Sequence, residues 1–244
     1  MVDTHCHVDL YDQPLVIARE AERLRITTVA VTYLPSHFEI AEQQLQRFEF
    51  VRPALGLHPL AVRDHECELP KFRRLAERAR LVGEVGLDFS AAGRSTRITQ
   101  EATFSGVVDA LRGKHRFITL HSRGAEDTVL LKLQAADLRA VVFHWFTGTR
   151  NQISRILDAG HLLSVNPAMI RSTKWQEFIK FVPRSAILTE SDGPFAKNGK
   201  TAASPLAMPQ ILKWLSDQWN CSLEAAAAIV DDNFDRLIRS IPLE

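Results

Sequence analysis

Eight short runs of apolar and β-branched residues alternate with helix-forming stretches along the chain: Val2–His7, Thr28–Tyr33, Arg52–Gly56, Leu81–Gly86, Phe117–His121, Ala140–His144, Leu162–Asn166 and Ala186–Glu190. Alternation of this kind builds βαβ units, which lay their strands in parallel. Near-continuous apolarity suits strands buried on both faces. The 244 residues match the ~250 typical of one (β/α)8 barrel and can bury a large core without disulfides. The expectation is an α/β fold, a (β/α)8 TIM barrel, as a single domain over residues 1–244. A doubly wound open sheet fits less well, because its ligand crevice forms at one switch point rather than from nearly every strand.

Helix signals fill the gaps. Pro14 can start a first helix with Ile17, Ala21 and Leu24 on one stripe. Ser36-His37-Phe38-Glu39 has the spacing of a capping box, ahead of Phe38, Ala41, Leu45 and Phe48 on one face. Gly160 follows Ile153, Ile156 and Leu157 and marks a helix end. Leu206–Trp219 and Ser222–Arg239 read as two closing helices.

The strand ends carry ligand-type side chains. They are His5 and His7 in VDTHCHVD, Glu84 in GEVGLD, His121 in ITLHSRG, His144 in VVFHWFTG and Asp192 in LTESDGP. Singly, each has an ordinary reading: a hydrogen-bonded histidine, a strand end at Glu84, a turn at Asp192-Gly193-Pro194. In a barrel the C-terminal strand ends converge on one face, so the six would meet in one pocket. Strand alternation turns His5 and His7 inward and Cys6 outward, which makes Cys6 a small core residue. Mixed nitrogen and oxygen donors suit zinc, manganese or iron more than calcium, with magnesium still allowed.

Composition narrows the setting. The formal net charge is +1, so a polyanion site has to be local. Three cysteines, Cys6, Cys67 and Cys221, stand far apart without a CxxC, which fits reduced thiols and a cytoplasmic location. The first strand starts at Val2, leaving no room for a signal peptide. The apolar runs are too short to span a bilayer.

DTHCHVDL, GEVGLDF, LHSRG, HWFTG and TESDGPF together resemble the TatD-type metal-dependent deoxyribonucleases of the amidohydrolase superfamily. GLHP at 56–59 and DNFDRLI near the C-terminus are similar to further motifs of that family, so the resemblance spans nearly the whole chain. It implies a (β/α)8 barrel with two divalent metal ions, one held by His5, His7, Glu84 and Asp192, the other by Glu84, His121 and His144. The implied activity is metal-assisted hydrolysis of phosphodiester bonds in DNA, at ends or in single strands. Two cations about 3.5–4 Å apart would activate a water and polarise the phosphoryl oxygen. Asp192 would also act as general base, and Arg123 and His58 would stabilise charge on the phosphate. Two loops depart from the family pattern: Val165-Asn166-Pro167-Ala168-Met169 after strand seven, and a shortened Phe195–Lys200 loop after strand eight. With LDLYDQP, these segments resemble the TatD-type component of Qat anti-phage defence operons, which implies other proteins of such an operon as partners.

Arg94, Arg97, Arg123, Arg150, Arg171, Lys174, Lys197 and Lys200 fall on or near loops of the same barrel face and could contact phosphates. Trp145, Phe146, Trp175 and Phe195 also fall near the mouth, where aromatic faces can stack bases. Two other functions use the same residues. One is metal-dependent hydrolysis of a C–N or ester bond, as in a deacylase. The other is a subunit that binds nucleic acid or a protein partner with little catalysis.

Overall fold

Parallel strands that bury both faces form a closed ring in the computed structural model, which describes residues 1–239 and residue 241. The strands are β1 Val2–Cys6, β2 Thr27–Val31, β3 Val51–Ala54, β4 Leu81–Gly86, β5 Phe117–His121, β6 Val142–Phe143, β7 Leu162–Val165 and β8 Ile187–Thr189. Two parallel ladders run through them, β1-β2-β3 and β4-β5-β6-β7-β8. A bridge between Leu55 and Val82 closes the β3–β4 seam, with Leu55 N–H donating to the Leu81 carbonyl at 2.9 Å. Side chains close the β8–β1 seam. Thr4 Oγ1 donates to the Thr189 carbonyl at 3.0 Å, Thr189 Oγ1 donates to the Val2 carbonyl, and Ser191 N–H donates to Asp3 Oδ1 at 2.8 Å.

Several strands stop short of the apolar runs that mark them. β6 keeps only Val142 and Phe143, although His144 N–H still donates to the Leu120 carbonyl at 3.1 Å. The chain turns away at once, with Trp145 at φ 34°; Asp192, after β8, has φ 45°. Left-handed backbone at non-glycine residues is rare and concentrates where a site needs a side chain re-aimed.

The helices lie outside the barrel: α1 Pro14–Arg23, α2 Pro35–Leu45, α3 His65–Leu75, α4 Arg97–Leu111, α5 Glu126–Ala135, α6 Arg150–Asp158, α7 Thr173–Phe178, α8 Met208–Trp219 and α9 Leu223–Arg239. Pro14 starts α1 as expected, but Ala18 and Ala21 are the residues it buries, and Leu24 is exposed. Ile17 packs, partly buried, against the cluster that holds Ala18 and Ala21. The capping box expected at Ser36 does not form. Pro35 already occupies the first turn of α2, and the Ser36 N–H donates to Glu68 Oε2 of α3 at 3.0 Å. A capping box forms instead at Thr149 and Gln152, ahead of α6. Gly160 ends α6 with φ +77°, a conformation glycine adopts without strain. Asn233 of α9 donates to the carbonyls of Arg184 and Ile187 at 2.7 and 2.8 Å, tying the last helix to the start of β8. Cys6 points outward into a small cluster with Ala18, Ala21 and Ala30. Among the described residues no helix is long and apolar enough to cross a membrane.

Candidate metal centre

All six ligand-type residues meet at the C-terminal end of the barrel, around Glu84. Its position follows from β4: Gly83 and Gly86 flank it where a side chain would collide with neighbouring strands. A Cβ on Gly86 would lie 2.0 Å from the His121 carbonyl oxygen, so β4 and β5 pack closely only with glycine there. The Glu84 carboxylate is 1% exposed, and its oxygens face different partners. Oε2 lies 3.5 Å from His5 Nε2, 3.1 Å from His7 Nε2 and 3.3 Å from His58 Nε2. Oε1 lies 2.7 Å from His121 Nδ1 and 2.8 Å from His144 Nε2. Burial pushes the Glu84 carboxyl up, but the surrounding imidazoles, His58 and His144 foremost, outweigh it and hold the group well below the usual carboxylate range.

Asp192 stands farther back. Its Oδ1 is 3.9 Å from His5 Nε2 and 3.8 Å from His7 Nε2. Backbone bonds set it there: Asp192 N–H donates to the His5 carbonyl and His7 N–H to the Gly193 carbonyl, both at 2.8 Å. Burial pushes its carboxyl well up; Glu190 and Glu84 add to this, while His144 and His121 oppose it. Burial also pushes His5 down to about 3.

The donors fit divalent cations. His5 Nε2 and His7 Nε2 are buried and accept or donate no hydrogen bond within the described residues, a costly state for a polar nitrogen unless an ion takes it. Three donor sets have ligand atoms within 4.8 Å of one another: His5, His7 and Glu84; His5, His144 and Asp192; and His58, Glu84 and His121.

A model of the family described as TatD related DNase matches residues 2–239. The chain belongs to this family. Human deoxyribonuclease TATDN3 is 29% identical over 213 residues, spanning 80% of this chain and 78% of that protein. The uncharacterized metal-dependent hydrolase YcfH of Escherichia coli strain K12 is 26% identical over 255 residues, covering 97% of this chain and 95% of its own length. The crystal structure of YJJV, a TatD homolog from Escherichia coli K12, superimposes with a TM-score of 0.88 over 99% of this chain and 98% of that one, at 23% identity, and shares the barrel fold. The chain is therefore a TatD-family hydrolase of the metal-dependent kind.

In this TatD-family site the residues that orient the ligands escaped the sequence reading. His121 Nε2 bonds Asp88 Oδ2 at 2.9 Å, which turns Nδ1 toward Glu84. Asp88 is fixed in turn by the Ser90 N–H at 2.8 Å and by its own N–H on Gln100 Oε1 at 2.8 Å. Burial pushes the Asp88 carboxyl up, but bonds from His121 and Ser90 bring it down to about 2. His5 Nδ1 bonds Thr119 Oγ1 at 2.9 Å. Glu190, behind His144, accepts from Trp145 N–H at 2.9 Å, from Asn166 Nδ2 at 3.0 Å and from Ser164 Oγ. Asn166, in the unusual segment after β7, thus helps hold the carboxylate nearest His144 Nδ1. Asp88 stood in plain sight in GEVGLDF, two residues past the glycine that ends β4; its alignment with β5 was the missing information.

The mouth is a cavity of about 480 Å³ lined by Tyr33, His58, Arg123, Trp145 and Phe195 among others. His58 is buried, with Tyr33 stacked 4.1 Å from its ring. Leu60 N–H donates to its Nδ1 at 3.1 Å, so the proton sits on Nε2, 3.3 Å from Glu84 Oε2. Of the eight basic residues placed near this face, Arg123 lines the cavity and the others do not. Arg97 bonds Glu101 and covers Phe89, Arg150 covers Phe181, Arg171 bonds the Lys197 carbonyl, and Lys174 bonds the Thr147 carbonyl. Phe146 and Trp175 are also core residues, with Trp175 Nε1 donating to the Phe146 carbonyl at 3.0 Å. Phe195 is 52% exposed and meets His7 edge-on at 4.9 Å.

Proposed function

We propose that the chain hydrolyses phosphodiester bonds of DNA with two divalent cations, zinc, magnesium or manganese. The split of Glu84 carries the reading: Oε2 within 3.5 Å of His5 and His7, Oε1 within 2.8 Å of His121 and His144. One carboxylate facing two imidazole pairs can serve two cations. His5, His7, Glu84 and Asp192 would hold the first, and Glu84, His121 and His144 the second. When bound, such ions make water a nucleophile near neutral pH and polarise a phosphoryl oxygen.

The chain's own groups complete the chemistry. Asp192 would take the proton of the attacking water as general base. Arg123, exposed on the loop after β5 and lining the cavity, contacts the phosphate. His58 lines the same cavity, and its Nε2–H, beside Glu84 Oε2, would donate to a phosphate oxygen. The size of the cavity matches a small ligand rather than a duplex, which favours strand ends and single strands over internal duplex sites. Tyr33, Trp145 and Phe195 give a base three aromatic neighbours. The likeness of LDLYDQP, SVNPAM and KNGK to the Qat component supports a role in anti-phage defence, alongside proteins of the same operon.

Asp192→Asn tests the reading. The variant is expected to bind single-stranded oligonucleotides at near wild-type affinity and to lose turnover. Full turnover on every nucleic-acid substrate the wild type cleaves would refute it, as would wild-type hydrolysis confined to acyl substrates.

A further inference from the structure

A second cavity, of about 280 Å³, lies beside α1 and α2 and shares no lining residue with the cavity at the metal centre. Val8 and Leu10 of the turn after β1 and Pro14 of α1 form one side, Ala30 and Val31 of β2 the floor, and Ala41 and Leu45 of α2 the far wall. The walls are mostly aliphatic, with Thr32, His37 and Gln44 the polar side chains beside Asp9, and Leu10 and Ile40 stay 39% and 54% exposed at the rim. Ala30 and Ala41 are the smallest side chains that line it.

One carboxylate faces this apolar space. Both oxygens of Asp9 are buried and accept no hydrogen bond within the described residues. His37 Nδ1 stands 3.5 Å from Oδ2, on a ring 39% exposed, and the ring of His7, two residues back, also acts on the carboxylate. That distance is too long for a good hydrogen bond. A carboxylate carries about four acceptor positions, and leaving them empty in an apolar cleft is costly. The missing partner has to bring N–H donors and positive charge, and the aliphatic walls call for carbon behind them.

We propose that this cleft binds a small organic ammonium ion, its N–H groups on Asp9 and its hydrocarbon body against Ala30, Ala41 and Leu45. The volume falls just below the usual range for drug-sized ligands, so the ligand is compact. Recognition is by charge and shape together. A neutral molecule of the same shape leaves the carboxylate unpartnered, and a bare inorganic cation leaves the walls unfilled. The site lies outside the hydrolytic pocket and does not rest on the assignment of phosphodiester hydrolysis.

Cyclohexylammonium and its neutral isostere cyclohexanol are the probes. Isothermal titration calorimetry on the metal-loaded protein is expected to give saturable binding of the ammonium ion and at least tenfold weaker binding of the alcohol. A crystal soaked with cyclohexylammonium is expected to show the amine on Asp9. Asp9→Asn should weaken the ammonium at least tenfold. Ala41→Met fills the cleft without touching the carboxylate and should abolish binding while circular dichroism stays unchanged. Absence of saturable binding, equal affinity for amine and alcohol, or undiminished binding by folded Ala41→Met would each overturn the proposal.

Discussion

Asp88→Asn separates the cation-orienting role of this side chain from its place in the fold. In the wild type Asp88 Oδ1 accepts from Ser90 N–H at 2.8 Å and Oδ2 accepts from His121 Nε2 at 2.9 Å. The variant keeps the Ser90 bond through its amide oxygen, so its NH2 group faces His121 Nε2. Two donors cannot share that contact. The imidazole then loses its Nε2 proton and carries one on Nδ1, where it donates to Glu84 Oε1 across 2.7 Å. A protonated Nδ1 cannot bind a cation. Binding a metal therefore requires the reverse tautomer, without the charged acceptor that favours it. A hydrogen bond to a charged group is worth about 1.5–3 kcal/mol, and ~1.4 kcal/mol is tenfold. Cation affinity at the His121–His144 side should fall roughly 10- to 100-fold, the range found when outer partners of ligating histidines are removed. Competitive titration against a chelator measures it, with oligonucleotide hydrolysis followed at rising metal concentration. Stability of the cation-free protein should fall where His121 is protonated, since Asp88 is one of the groups that raises its pKa. Wild-type affinity in Asp88→Asn, or lost activity that excess metal fails to restore, would refute this reasoning.

Three further outcomes follow from the same geometry. Glu84→Gln should lower occupancy of both cation positions and abolish turnover while the barrel stays folded, as metal analysis and circular dichroism would report; retained turnover rules out the shared ligand. Arg123→Ala should leave both metals bound and reduce kcat/KM by a few kcal/mol at most, about the effect of losing one electrostatic stabiliser; no change in kcat/KM or in DNA affinity removes Arg123 from the substrate site. Cation affinity should rise with pH. Burial pushes His121 and His144 down, but Asp88 and Glu84 around the first and Glu84 and Glu190 around the second raise both above the usual histidine value. In cation-free protein their contribution to stability is complete below pH ~6.5 and fades as pH rises through the raised values. Cations must displace these protons, so affinity that is flat or falls from pH 6 to 8 contradicts the assignment.

The barrel was legible because each buried strand leaves a continuous apolar run, and the candidate ligands were legible because all six stand within two residues of the end of such a run. Direction was the limit. Phe146 follows His144 in sequence about as closely as Phe195 follows Asp192, yet Phe146 turns into the core, as does Trp175 on α7, and only Trp145 and Phe195 reach the cavity. The basic rim failed for the same reason: loop position put eight cations near one face, and local carbonyls and rings took up several of them. Asp88, Thr119 and Glu190 were invisible because their task is defined across strands, by register between β4, β5, β6 and β8 rather than by neighbours in sequence. The missed turn chemistry at Ser36 came from a tertiary contact, the Glu68 carboxylate of α3, that no local pattern records.

The account turns on two cations sharing Glu84. Anomalous diffraction from crystals soaked in manganese or zinc measures this directly. Two peaks are expected about 3.5–4 Å apart, one beside His5 and His7, the other beside His121 and His144, with an oxygen of Glu84 on each. A single peak under saturating metal, or two peaks of which one lacks Glu84, would contradict it.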